Sequence, residues 1–216
     1  EILEVDIQPD NVIVGFSSYG QATYENAYNA GMGSNGLTSG RHDLLHHSYH
    51  AKYPESFDIN TDEEYIYSGQ FSLTDSLEGT PVDIGKALLS PTRTYAPILN
   101  KIMQDNALKD AINGIIHCTG GAQTKVMKFL DKPLHIIKDS LLEIPPLYKT
   151  IHETTGTSMK EMYEVFNMGH RLEIYCDKTI ANDLISIAAS FNVEAQIIGR
   201  CEPNSQKKLT IAGISY

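Results

Sequence analysis

Apolar and polar positions alternate along this chain with two different periods. Val12-Ile-Val-Gly-Phe-Ser17 is continuously apolar, as a strand buried on both faces would be, and it ends in Ser17-Ser-Tyr-Gly20. Asn29-Ala-Gly-Met-Gly-Ser-Asn-Gly36 is built of glycine and small residues and is predicted as a loop. Leu37 to Tyr49 carries Leu37, Leu44 and Leu45 on one side and is predicted as a helix. Residues 51–83 are polar, acidic and turn-rich. Within them Tyr65-Ile-Tyr-Ser-Gly-Gln-Phe-Ser-Leu73 has the alternation of a short hairpin broken at Gly69, so the segment reads as an insertion, less ordered than the rest and contributing little to the main sheet. Ile84 to Leu89 is a short helical turn. Pro91-Thr-Arg-Thr-Tyr-Ala-Pro97 leads into a helix to about Asn106, with Ile98, Ile102 and Met103 inward.

From there strands and helices alternate. A strand at 111–118 precedes a helix at 121–130, and a strand at 134–138 precedes a helix starting near Pro146. A helix at 158–166 and a strand at 168–176 follow, then a helix at 178–191 and strands at 194–200 and 207–212. This order predicts an α+β fold of layered α/β character, a mixed sheet flanked by helices, formed as one domain over residues 1–216.

Composition narrows the function classes. With 41% hydrophobic and 20% charged residues, 216 residues suffice for a soluble core. A net charge of -10 with no basic run argues against a nucleic-acid partner. No apolar stretch reaches the roughly 20 residues that cross a bilayer. Glu1-Ile-Leu-Glu-Val-Asp-Ile7 lacks the basic and apolar regions of a signal peptide, and it begins without Met, as an excised segment would. Cys118, Cys176 and Cys201 are odd in number, without a Cys-x-x-Cys spacing, and each lies in or at the end of an apolar run. They read as reduced, buried thiols of a cytoplasmic protein.

The candidate chemistry centres on Asn113-Gly-Ile-Ile-His-Cys-Thr-Gly-Gly-Ala-Gln-Thr-Lys-Val126, where a strand runs through Thr119-Gly120-Gly121 into a helix. Glycines at such a junction let backbone N–H groups approach a ligand, and the first helical turn adds unpaired donors and the positive end of a dipole. Phosphate binding and ordinary tight packing both use this pattern. His42, His46 and His50 recur every fourth residue, forming one stripe if their helix is continuous, which is a metal-ligand spacing as well as an ordinary surface one; no metal is assigned to it.

Six segments in order resemble the C-terminal domain of the phosphoribosylformylglycinamidine cyclo-ligase (AIR synthetase) family: Gly15-Phe-Ser-Ser18, Ser34-Asn-Gly36, Leu88-Leu-Ser-Pro-Thr-Arg-Thr-Tyr95, His117-Cys-Thr-Gly-Gly121, Glu161-Met-Tyr-Glu-Val-Phe-Asn-Met-Gly169 and Ile197-Ile-Gly-Arg200. The resemblance runs from about residue 11 to the end. It implies a mixed sheet with partial ferredoxin-like similarity, and a two-domain enzyme whose ATP and Mg2+ apparatus lies mainly in an N-terminal domain that this chain lacks. It implies conversion of phosphoribosylformylglycinamidine (FGAM) to aminoimidazole ribonucleotide with release of ADP and phosphate. The partners implied are a phosphoribosyl substrate, the N-terminal domain and, at full length, a second copy.

Ser34, Asn35, Arg93, Thr119, Gly120, Gly121 and Asn167 fall on the matched motifs as substrate or phosphate ligands, with His117 as the candidate acid or base and Thr92 and Lys125 nearby. Arg93 is also readable as a surface cation or an interdomain salt bridge, and Asn35 as a turn residue. Two positions depart from the family pattern. Gly33 stands where the family carries a histidine, and Asn167-Met-Gly-His-Arg-Leu172 replaces a pattern with cysteine and glycines, placing His170 and Arg171 either in the site or toward solvent. The other readings are another ATP-dependent relative, of selenophosphate synthetase or hydrogenase-maturation type, and a ligand-binding module without catalysis.

Overall fold

The computed structural model describes residues 4–216, and the reading of the N-terminus rests partly on residues outside them. Strand β1 (Val12–Ser17) is buried at all six residues. Its apolar run feeds two cores, since alternate side chains of a strand point to opposite faces: Val12, Val14 and Phe16 enter one, Ile13 the other. Helix α1 (Leu37–Leu44) ends where Leu45 turns extended, and the short α2 (Ser48–Lys52) follows. The single helix predicted over 37–49 is broken because Leu45 and His46 pair in parallel with Phe71 and Gly69. For the same reason residues 65–73 are no hairpin: Glu63–Tyr65 is a 3-10 turn, and the stretch after it docks alongside residues 45–46.

None of the strands comes from residues 51–83, as the sequence suggests. The insertion is nevertheless part of the core, because Ile66, Tyr67 and Leu77 are buried in the same cluster as Leu44 and Tyr148.

Helix α3 (Ile84–Leu88) is capped by the Asp83 carboxylate, which accepts from the Lys86 N–H. Helix α4 (Ala96–Met103) stops short of the predicted Asn106 because Asp105 caps a new helix, α5 (Asn106–Asp110), through the N–H groups of Ala107 and Leu108. Strand β2 (Ile112–His117) leads through Gly120 and Gly121, at φ 60 and 110, into a 3-10 helix at Ala122–Lys128, in place of the predicted α-helix. Then come β3 (Leu134–Lys138), α6 (Pro146–Thr155), α7 (Met159–Val165) and β4 (His170–Cys176). Helix α8 (Ala181–Ser190), β5 (Ala195–Pro203) and β6 (Lys208–Ile211) close the chain, with a two-residue β7 (Ile214–Ser215) that the sequence pattern did not reveal.

The seven strands form one mixed sheet in the order β2-β4-β1-β5-β3-β6-β7. Pairings are antiparallel except β3 with β6. Helices α4, α5 and α8 cover the face with Phe16 and Ile174; helices α1, α3, α6 and α7, with the insertion, cover the other. All three cysteines are free thiols and buried. No helix among the described residues is long and apolar enough to cross a membrane.

Candidate functional site

The glycine turn after β2 is open. Gly120 is exposed and Gly121 half-buried, and among the described residues neither N–H has a hydrogen-bond acceptor. A Cβ placed on Gly120 would lie 3.8 Å from both Asn35 Nδ2 and Lys125 Nζ, and one on Gly121 would lie 3.7 Å from Lys128 Nζ and Thr124 Oγ1. Lys128 reaches back to donate to the Gly120 carbonyl at 3.2 Å. The Thr119 hydroxyl, half-buried beside them, has no protein partner among the described residues. Ser34 is exposed and leans on Asn35 at 3.5 Å. Two free amides, a carboxamide, a hydroxyl and two ammonium groups thus converge, a donor set that fits an anion. Both glycines have positive φ, where a side chain would be strained.

Arg93 and Asn167, expected at the same face, are taken up elsewhere. The Arg93 side chain is fully buried and forks onto Glu25, Nε to Oε1 at 2.8 Å and Nη2 to Oε2 at 2.7 Å. Its Nη1 donates to the carbonyls of Ser17 and Tyr19 at 3.0 and 2.9 Å. Burial disfavours the Glu25 carboxylate, but the Arg93 guanidinium and the Ala22 N–H outweigh it and hold its pKa below the usual range. Arg93 therefore braces the end of β1, with Nε, Nη1 and one N–H of Nη2 taken up there. The Asn167 amide is likewise spent, donating to the Gly31 carbonyl at 2.8 Å and to the Tyr148 hydroxyl while accepting from Ser18 and from the Gly169 N–H. Both residues tie the loops that carry the site.

His170 and Arg171 do not face solvent; each is 1% exposed. Strand alternation sends Arg171 and Glu173 to the face with Tyr175, opposite Leu172 and Ile174. Arg171 donates to Thr92 Oγ1 at 2.9 Å and to the carbonyls of Gly31 and Met32 at 3.2 and 2.7 Å. Its own carbonyl accepts from the Cys118 N–H at 2.6 Å. One residue thereby joins the loops at 31–33 and at 92 to the strand end that bears the glycine turn.

Beneath the turn lies a buried polar network that the sequence reading missed. Lys138 donates to Glu173 at 2.5 Å and to the Gln123 carbonyl at 2.7 Å, with both charged side chains fully buried. Glu173 also accepts from His170 Nε2 at 3.0 Å and from the Tyr175 hydroxyl at 2.8 Å. Burial opposes the Glu173 charge, but Lys138 and His170 hold its pKa well below the usual range. Burial pushes the His170 pKa down, so it is neutral with its proton on Nε2, leaving Nδ1 a buried, unpartnered acceptor. A lysine closing one apolar strand and a glutamate inside another were the signal that such a pair exists.

His117 sits on the rim of a cleft of about 410 Å³ lined by Thr92, Tyr95, Leu99, Ile115 and Leu172. Its ring meets Tyr95 edge-on at 6.1 Å. Partial burial, then the charges of Arg171 and Lys125, lower its pKa, which leaves it unprotonated near neutrality and able to accept a proton. The expected stripe of His42, His46 and His50 does not form, since the helix breaks at Leu45. His42 Nδ1 instead accepts from the Tyr67 N–H at 3.2 Å and His46 Nδ1 meets Ser48 at 2.9 Å.

The fold defines the class. The protein tt0281 from Thermus thermophilus superposes with TM-score 0.51 at 13% identity, covering 99% of this chain and 53% of that one. Thiamine-monophosphate kinase from Stenotrophomonas maltophilia does so with TM-score 0.50 at 13% identity, covering 98% of this chain and 53% of that one. These likenesses establish an AIR synthetase-like α+β fold. Sequence similarity then narrows the kinship. The phosphoribosylformylglycinamidine cyclo-ligase of Methanocaldococcus jannaschii is 33% identical over 137 residues, 62% of this chain and 38% of that protein. The enzyme of the same name from Carboxydothermus hydrogenoformans is 27% identical over 194 residues, 89% of this chain and 46% of that protein. The chain is similar to these phosphoribosylformylglycinamidine cyclo-ligases and spans less than half the length of either. No protein-family model matches it.

Proposed function

We propose that the chain is the substrate-side domain of an ATP-dependent cyclo-ligase that converts FGAM to aminoimidazole ribonucleotide, releasing ADP and phosphate. The observation that carries this reading is the open glycine turn, where the N–H groups of Gly120 and Gly121 meet Asn35, Lys125 and Lys128. That set suits the phosphate of a phosphoribosyl substrate, and the named relatives support the choice of reaction. Such chemistry asks the protein chiefly to position reactants and neutralise developing charge.

His117 is the candidate proton acceptor at the neighbouring cleft. The groups at the turn include no carboxylate to hold Mg2+. ATP and its metal are assigned, on the family resemblance, to an N-terminal domain, with a homodimer at full length. Arg171, filling the space beside Gly33, favours a second reading in which the acceptor differs from FGAM, as in selenophosphate synthetase or hydrogenase-maturation types.

Two assays test this. Ribose 5-phosphate added to the 216-residue chain should shift amide resonances at Thr119 to Lys125 with weak affinity. The full-length protein, and not this chain alone, should release ADP in an FGAM-dependent way. Shifts confined to other regions would remove the turn from the site. Full activity from this chain alone would show that the catalytic half is misassigned, and ADP release with another acceptor but not FGAM would select the second reading.

A further inference from the structure

Glu63 of the insertion and two histidines just ahead of it form a second constellation, remote in sequence from the glycine turn. One ligand atom from each of His47, His50 and Glu63 lies within 4.8 Å of the others. His47 precedes α2 and His50 lies one turn on, so the two rings stack at 5.2 Å with 9° between their planes. The opposite side of the His50 ring is held by Phe57 at 4.8 Å. Glu63 comes from the 3-10 turn at Glu63–Tyr65, across the 51–62 loop.

The tautomer of His47 gives this cluster its meaning. Its Nδ1 lies 3.2 Å from the Ile66 carbonyl, which can only accept, so Nδ1 carries the proton. In neutral His47 the lone pair of Nε2 then faces a Glu63 carboxylate oxygen 3.7 Å away. Two acceptors so placed are drawn together by a cation, either a proton on Nε2 or a metal ion. The 3.7 Å gap exceeds a hydrogen bond and is near the roughly 3.3–3.5 Å separating two ligand atoms around tetrahedral zinc. The Nδ1–H to carbonyl bond is also the outer-shell contact that orients metal-binding imidazoles.

We propose that His47 Nε2, His50 and Glu63 bind one divalent transition-metal ion of the zinc class, with solvent completing the coordination. Imidazole ligands select zinc, nickel or cobalt over magnesium and calcium. The ion closes the loop between α2 and the 63–65 turn and so holds the docked insertion in register.

The test is calorimetric titration of chelator-treated protein with Zn2+ and, separately, Mg2+. One equivalent of Zn2+ should bind and Mg2+ should not, with His50→Ala and Glu63→Gln each weakening Zn2+ by at least about tenfold. His46→Ala, an exposed neighbour bonded to Ser48, should leave the affinity unchanged. Zn2+ should also slow proteolysis within residues 51–62 of the wild type and not of His50→Ala. No saturable binding, equal losses from His46→Ala and His50→Ala, or several weak equivalents indifferent to all three substitutions, meaning an adventitious ion only, would overturn the proposal.

Discussion

The guanidinium of Arg171 fills the space that a side chain on Gly33 would need. A Cβ built at Gly33 overlaps Nη1 and Nη2 of Arg171, and Gly33 has φ 61, which disfavours other residues in any case. A side chain at position 33 would therefore require the Arg171 guanidinium to move. The guanidinium is held there as a buried charge bonded to Thr92, Gly31 and Met32.

Gly33→Ala should accordingly cost about 2–4 kcal/mol in chemical denaturation, from overlap and backbone strain together. Combined with Arg171→Ala, the total loss should fall short of the sum of the single losses by at least about 0.5 kcal/mol, because the second change makes room for the first. Strict additivity would separate the two positions.

Stability and anion binding should come apart at Arg93 and Lys125. Arg93→Ala leaves Glu25 without its fork and should cost about 3 kcal/mol, while phosphate affinity at the glycine turn stays within about twofold of the wild type. Lys125→Ala should do the reverse, weakening phosphate with little change in melting temperature. Phosphate titration monitored by NMR, alongside urea denaturation, reads both quantities.

Lys138→Met should be among the most damaging single changes, at about 3–5 kcal/mol, since it strands a fully buried Glu173 carboxylate. Adding Glu173→Leu should recover part of that loss in the same urea titration. A double variant as unstable as Lys138→Met alone would mean that the pair is not the source of the cost.

Acid should destabilise the protein in two stages. The folded pKa of His170 lies below its ordinary value of 6.5, so the unfolded chain takes up that proton first, and the His170 contribution is full above about pH 6.5 and lost as pH falls through the folded pKa. Glu173, also depressed, contributes stability that disappears at lower pH as its carboxylate is protonated. Melting temperature measured from pH 7 to 4 should fall, and His170→Gln should flatten the upper part of the curve. An unchanged slope in that variant would assign the effect to other groups.

The sequence displayed the scaffold better than the site. β1, β2 and β3 were legible because apolar runs of that length, bounded by turn residues, have one good use. The break at Leu45 was not, since it depends on Phe71 and Gly69 arriving from far along the chain. Asn35, Gly120 and Gly121 were readable as loop donors. Arg93 and Asn167 carry the same donor chemistry, and nothing local distinguishes an arginine that meets a ligand from one that meets Glu25. Lys128 joins the turn only because the 3-10 helix brings it back over Gly120.

The position of β1 in the sheet has a consequence for how the molecule is made. The strand lies well ahead in sequence of its neighbours β4 and β5, which end at Cys176 and Pro203. Those pairings must therefore wait until the chain through β5 exists. Such long-range closure slows acquisition of the native state and leaves Val12 to Ser17 as unpaired, apolar, extended chain in the meantime. A nascent chain halted before Ala195 would present one bare flank of that strand, a template for aggregation that only β5 conceals.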